Sequence, residues 1–170
     1  MELERYIRDI PDFPKKGIMF KDITPLLKDA RAFETAIEML AAKYKDAKID
    51  KIASMESRGF ILGAALSMKL RCGFIPIRKK GKLPYETIRE EYALEYGTDL
   101  LEMHKDALEK GENILIVDDV LATGGTANAV CRLIEKLGGN IAALCFLIEL
   151  SSLNPRKKLE GYPIESLIIY

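Results

Sequence analysis

The sequence predicts an α/β domain built on a mostly parallel, twisted sheet flanked by helices. Three observations carry this. Short apolar runs alternate with stretches of helical periodicity along the chain. Two runs, residues 114–117 and 141–150, are apolar almost throughout, as expected of strands buried on both faces. Charged and small residues follow the strands at residues 56–59 and 118–126, the carboxyl edge where open α/β sheets take ligands. At 170 residues the chain fits one domain, residues 1–170, with a sizeable core.

Residues 2–9 read as a short amphipathic helix with Leu3, Tyr6, Ile7 and Ile10 on one side, ended by Pro11. Residues 11–25 read as an irregular loop, since Pro11, Pro14, Gly17 and Pro25 interrupt it. That loop still carries Phe13, Ile18, Met19, Phe20 and Ile23. It is either tucked against the core or shaped to hold something flat and apolar, and composition does not choose. A helix spans 30–45, because Phe33, Ala36, Ile37, Leu40, Ala41 and Tyr44 recur at helical spacing. A strand at 51–55 feeds a helix at 59–70 rich in Ala, Leu and Gly. A strand follows at 73–78, with Pro76 arguing against a central place. Residues 79–84 form a basic turn, and 85–96 read as an exposed two-stranded excursion or flexible flap rather than core. A strand at 99–103 and a turn at 106–108 lead to the strand at 114–117. The helix at 126–137 is closed by Gly138 and Gly139. A long strand at 141–150, a short charged helix at 154–160 and a strand at 164–170 complete the chain.

Composition excludes several classes. The 26 basic and 26 acidic residues balance, so there is no overall pull toward nucleic acid or an anionic membrane. Cys72, Cys131 and Cys145 lie in apolar contexts without CxxC spacing, and read as buried free thiols. The single histidine, His104, cannot anchor a metal cluster. The charged N-terminus lacks a signal-peptide core, and the apolar runs are far short of a membrane span. The expectation is a cytoplasmic protein without membrane or nucleic-acid partners.

The richest stretch joins an apolar strand, the adjacent carboxylates Asp118 and Asp119, and a turn through Ala122, Thr123, Gly124, Gly125 and Thr126 before a helix. Backbone amides in such a turn wrap an anion, and the helix points its positive end at it. Paired acids suit sugar hydroxyls or a nearby metal ion. A sugar phosphate satisfies both. The stretch is not a P-loop, because no lysine follows the glycines at that spacing. Nor is it a dinucleotide fingerprint, because the acids precede the glycines.

The run from Val117 to Thr126 resembles the phosphoribosyl-pyrophosphate motif of the type I phosphoribosyltransferases. Phe20-Lys21-Asp22-Ile23-Thr24-Pro25, Glu56-Ser57-Arg58-Gly59-Phe60, the basic segment from Ile77 to Pro84, and Leu94-Glu95-Tyr96-Gly97 resemble the adenine-specific branch of that family, in the same order. The resemblance implies the type I fold, with a small N-terminal hood, a base-binding loop at about residues 11–27 and a flexible flap at about 79–97. It implies transfer of phosphoribose from phosphoribosyl pyrophosphate to adenine, giving AMP and pyrophosphate through an oxocarbenium-like transition state. It further implies Mg2+ carried on the pyrophosphate with no direct protein ligands, water-bridged at most to Asp118 and Asp119, and a homodimer. Site roles follow from the same likeness. Arg58 would neutralise the leaving pyrophosphate, in a loop whose family counterpart holds a non-proline cis peptide, here Glu56-Ser57. Asp118 and Asp119 would bind the ribose hydroxyls. Ala122, Thr123, Gly124, Gly125 and Thr126 would hold the 5′-phosphate. Arg78, Lys79 and Lys82 would add charge near the phosphates, Glu95 would serve as general acid/base on the purine, and Tyr96 would line the ribose side. Phe20 would stack on the base while the backbones of Met19 and Lys21 read its 6-amino edge. Many relatives have arginine where Lys21 stands.

Other readings remain beside this one. A xanthine or hypoxanthine–guanine phosphoribosyltransferase would share the ribose site, although the segments around Phe20 and Glu95 speak against it. A phosphoribosyl-pyrophosphate-sensing regulator would need an added domain or a basic face for nucleic acid. An inactive scaffold would not need every catalytic segment.

Overall fold

The computed structural model describes residues 1–94 and 97–170. Along the described chain run β1 (Arg8–Ile10), β2 (Phe20–Asp22), α1 (Thr24–Lys28), α2 (Ala30–Ala42), β3 (Lys51–Met55), α3 (Arg58–Leu70), β4 (Gly73–Lys79), β5 (Thr87–Leu94), β6 (Gly97–His104), β7 (Asn113–Leu121), α4 (Gly125–Lys136), β8 (Asn140–Glu149) and β9 (Ile164–Ile169). Among these residues one seven-stranded sheet has the order β5-β6-β4-β3-β7-β8-β9. Strands β4, β3, β7, β8 and β9 are mutually parallel. Strands β6 and β5 add an antiparallel edge. Strands β1 and β2 form a separate antiparallel ribbon, with Ile10 opposite Phe20.

The pleat of β7 explains its unbroken apolar run. Ile114 and Ile116 face one core with Val130 and Leu133 of α4. Leu115 and Val117 face the other with Leu62 and Leu66 of α3. Both faces are covered, so neither position can be polar. Glycine lets α3 lie close. A Cβ on Gly63 would stand 1.9 Å from the Ser54 hydroxyl oxygen, and one on Gly59 would stand 2.6 Å from a carboxylate oxygen of Asp118. The helix start therefore rests directly against the acid pair.

Several expected elements change when the chain folds. The N-terminal helix is only a 3₁₀ turn, Leu3–Tyr6, and Arg8–Ile10 is strand instead. The loop expected over 11–25 yields strand β2 and the start of α1, because pairing with β1 satisfies the backbone there. Strand β7 does not stop at Val117 but carries both acids and runs to Leu121, since β8 pairs with it as far as Glu149. Pro76 is accommodated because β6 pairs with β4 only at Arg78 and Lys79, leaving that side of β4 unladdered at the proline. Of the excursion expected at 85–96, Thr87–Leu94 is β5, paired along its length with β6, and the pair is not wholly exposed. Tyr92, Leu101 and Met103 enter the core, and Glu90 is gripped by Arg132 and Lys136 of α4. Other elements match the sequence closely. Strand β3 has the expected bounds. Helix α4 ends in a Schellman turn, with Gly138 at φ +80° and the Gly139 amide donating to the Ile134 carbonyl at 3.1 Å.

Candidate active site

Strand β7 delivers Asp118 and Asp119 to the carboxyl edge of the sheet, and the turn after it begins α4. A cavity of about 80 Å³ sits in this turn, lined by Asp118, Ala122, Thr123, Gly124 and Thr126. Gly124 has φ +78°, and a Cβ there would meet the Pro155 carbonyl oxygen at 2.5 Å. Conformation and close approach both demand glycine. Among the described residues no side chain caps α4, and no acid lies in its first turn, so its amides and positive end suit an anion.

Arg58 opens α3 and spans the site. Its Nε lies 2.7 Å from Asp119, and its guanidinium sits 4.8 Å over the Phe20 ring. Asp118 accepts the Asp119 amide at 2.9 Å. Burial pushes the Asp118 carboxyl well above the usual range, and the charge of Asp119 adds to that rise. Burial also raises Asp119, while Arg58 opposes the rise. The pair is thus held under electrostatic tension, which a cationic ring or hydroxyl donors would relieve.

The aromatic bend of the N-terminal ribbon forms the opposite wall. Phe13 packs edge-on to Phe20, with ring centroids 5.1 Å apart. The Lys21 side chain is engaged: its Nζ pairs with Asp9 at 2.7 Å and lies 3.5 Å over the Tyr170 ring. Met19, Lys21, Tyr92, Ala122, Thr126 and Leu150 line both of two adjoining hollows, of about 520 and 780 Å³, which make one cleft. The ribbon, Arg58 and the acid pair meet in the smaller hollow.

The basic segment is engaged in pairing. Arg78 donates to Glu56 at 3.0 and 2.8 Å and to the Lys82 carbonyl at 3.2 Å. Burial pushes Glu56 up, but the Lys79 amide and Arg78 outweigh it and hold its carboxyl below the ordinary range. Lys79 pairs with Asp99 at 3.1 Å, which raises its pKa. Lys82 is exposed. The Glu56-Ser57 peptide is cis. Glu95 and Tyr96 lie outside the described residues.

Comparison with known proteins reads the same way. Residues 26–166 match the model of the phosphoribosyl transferase domain. The chain is 62% identical to the adenine phosphoribosyltransferase of Thermotoga neapolitana over the full length of both, and 60% identical to that of Brachyspira hyodysenteriae, again over both full lengths. The solved adenine phosphoribosyltransferase of Thermoanaerobacter pseudethanolicus superposes with a TM-score of 0.98 at 58% identity, covering 99% of this chain and 98% of that one. The chain belongs to the adenine phosphoribosyltransferase family. The Saccharomyces cerevisiae adenine phosphoribosyltransferase, solved with an imino-altritol bisphosphate and adenine, superposes with a TM-score of 0.92 at 40% identity, over 97% of this chain and 96% of that one. Membership makes the chain a pentosyltransferase of purine salvage.

Several cleft residues of the chain carry no signal in the sequence. Leu150 is the residue after a long buried strand, Tyr170 follows β9, and Tyr92 lies within β5. Lys158 sits in an unremarkable charged stretch. Each reaches the cleft only because sheet order brings its segment there.

Proposed function

We propose that the chain moves the phosphoribosyl group of phosphoribosyl pyrophosphate onto N9 of adenine, releasing pyrophosphate and AMP. One observation supports this above the others. Arg58 touches both Asp119 and the Phe20 ring, so the sugar-binding acids and the aromatic wall share one guanidinium and one cleft. In this reading the turn from Ala122 to Thr126 takes the 5′-phosphate on backbone amides and the Thr123 and Thr126 hydroxyls. Asp118 and Asp119 accept from the ribose hydroxyls and face the positive ring as the C1–pyrophosphate bond breaks. The Asp119 contact uses the Nε end of Arg58, and the other guanidinium donors serve the departing pyrophosphate. Phe20 stacks on the base. The Lys21 side chain is occupied by Asp9 and Tyr170, so the 6-amino edge is read by the backbones of Met19 and Lys21. A carbonyl there accepts from an amino group and repels a 6-oxo group. Glu95 exchanges the purine proton, Tyr96 lines the ribose, and the segment at 79–97 closes over the reaction with Lys79 and Lys82 beside the phosphates.

Magnesium fits as a partner of the substrate. Among the described residues no group of three or more His, Cys, Asp or Glu side chains gathers to hold a metal, while Asp118 and Asp119 line the cleft where water-bridged contact is open. When bound, the ion neutralises pyrophosphate charge.

A homodimer is part of the proposal. Helices α2 and α3 expose Met39, Ile61 and Met68, and a groove of about 580 Å³ between them is lined by Phe33, Ile37, Ala65 and Met68 with Glu34, Glu38 and Lys69 around them. Exposed apolar side chains among charged ones suit an isologous contact. A cytoplasmic setting agrees with three free cysteines, of which Cys131 and Cys145 are pushed up to about 12 by burial. Among the described residues no helix is long and apolar enough to cross a membrane.

The reaction is tested by incubating the protein with phosphoribosyl pyrophosphate, Mg2+ and one of adenine, guanine, hypoxanthine or xanthine, then separating the nucleotides. AMP from adenine alone is expected. Nucleotide from guanine or xanthine would overturn the base assignment.

A further inference from the structure

We propose that Lys158 is a binding residue for the 5′-phosphate, completing from a second segment the cradle that the β7–α4 turn begins. The proposal rests on the assignment of that turn to the phosphate. It starts from a census of the cations that line the cleft. These are Lys21, Arg58 and Lys158. Lys21 is paired with Asp9, and Arg58 with Asp119. Lys158 forms no ion pair among the described residues, although it lines the cleft beside Thr123 and Thr126. Among the described residues that line the cleft, a doubly charged phosphate placed against backbone amides meets no cation outside an ion pair except this one.

The fold holds Lys158 there. It belongs to a 3₁₀ helix, Pro155–Leu159, whose two end residues are buried. Between them Arg156 is clamped by Glu149 through two contacts of 2.7 Å, and Ser166 braces the same carboxylate at 2.7 Å. The start of this helix lies directly on the phosphate turn, since the Pro155 carbonyl occupies the space a Cβ of Gly124 would need, with the Lys158 Cβ 3.5 Å from the same point. The glycine that gives the turn its conformation is therefore also the place where the basic segment docks. Lys157 is the internal control. It is next in sequence, equally basic and exposed, but it lines a different hollow on the side of Glu149 and Ile169.

Ribose 5-phosphate is the probe, titrated calorimetrically into the wild-type protein and the Lys158→Gln, Lys158→Arg, Lys157→Gln and Thr126→Val variants at low and high salt. Lys158→Gln is expected to weaken binding about three- to tenfold and to flatten its salt dependence. Lys158→Arg retains most of the affinity, and Lys157→Gln matches wild type. In steady-state assays KM for phosphoribosyl pyrophosphate rises more than KM for adenine. Thermal melts of Lys158→Gln stay at the wild-type value, because the side chain is exposed. If Thr126→Val weakens the probe and Lys158→Gln does not, the lysine assignment is wrong while the phosphate turn stands. If neither variant affects the probe, the phosphate assignment of the turn fails and this inference falls with it.

Discussion

One run of chain, residues 118–126, supplies most of the end of the cleft proposed for the ribosyl phosphate, whereas the end proposed for the base draws on Met19 and Phe20, Leu150, Leu153 and Tyr170. The first end is a local device. Its acids ride on a buried strand, its amides come from a turn fixed by Gly124, and its field comes from the helix that follows. The second end is a tertiary device. Its aromatic wall is held by the β1–β2 ribbon, by Arg58 from α3 and by Tyr170 beyond β9. The local end tolerates little change in its backbone. The assembled end distributes its hold over the ribbon, Arg58 and the Lys21–Tyr170 contact.

Gly124→Ala breaks this contrast most sharply. Alanine must adopt φ near +78° and push its Cβ into the Pro155 carbonyl. The strain costs about 1–2 kcal/mol, and displacing the cradle lowers kcat/KM for phosphoribosyl pyrophosphate about a hundredfold. Initial-rate kinetics and a denaturant melt check both. A variant with near-normal kinetics would show that the turn is not the phosphate site.

Asp118→Asn comes next, and it moves activity and stability in opposite directions. Loss of one charged acceptor lowers kcat/KM for phosphoribosyl pyrophosphate roughly tenfold. Stability changes with the opposite sign because the folded carboxyl lies above its ordinary range. Its ionisation opposes folding, a penalty absent below the ordinary carboxylate range, growing as pH rises from there toward the raised value and constant above it. The uncharged amide keeps an oxygen for the Asp119 amide, so the melting temperature rises at neutral pH, and the gain shrinks as pH falls toward the carboxylate range. Calorimetry at about pH 7.5 and about pH 5 measures it. A drop in melting temperature at neutral pH would refute the tension ascribed to the acid pair.

Lys21→Met is the mildest change. Its side chain is committed to Asp9 and Tyr170. Stability falls by about 0.5–1 kcal/mol, while KM for adenine stays within about twofold, as a backbone reading of the base requires. A large rise in that KM would return the recognition to the side chain.

The parallel core was legible from residues alone. Strand β3 and the alternation of strands and helices follow from periodicity, and the apolar run of β7 follows from burial on both faces. The place of the acid pair and the turn was legible too, because a strand end, two carboxylates and a glycine turn are contiguous. Strand β2 was hidden, since Phe20, Lys21 and Asp22 have no alternation of their own and become strand only when β1 lies beside them. The core role of Tyr92 was masked by the charged residues around it, as α4 must fold over β5 before Glu90 is neutralised and Tyr92 covered.

By itself the sequence determined the fold class, the place of the acid pair and the glycine turn at the sheet edge and, through resemblance, the family. These are properties of neighbouring residues, whose backbone preferences and charges act over a few positions. The tertiary structure alone decided that Arg58 joins Asp119 to Phe20, that Lys21 turns to Tyr170, and that the segment carrying Lys158 leans on Gly124. Those pairings cross the sheet, and charge and packing fix them only after strand order has brought the partners within reach.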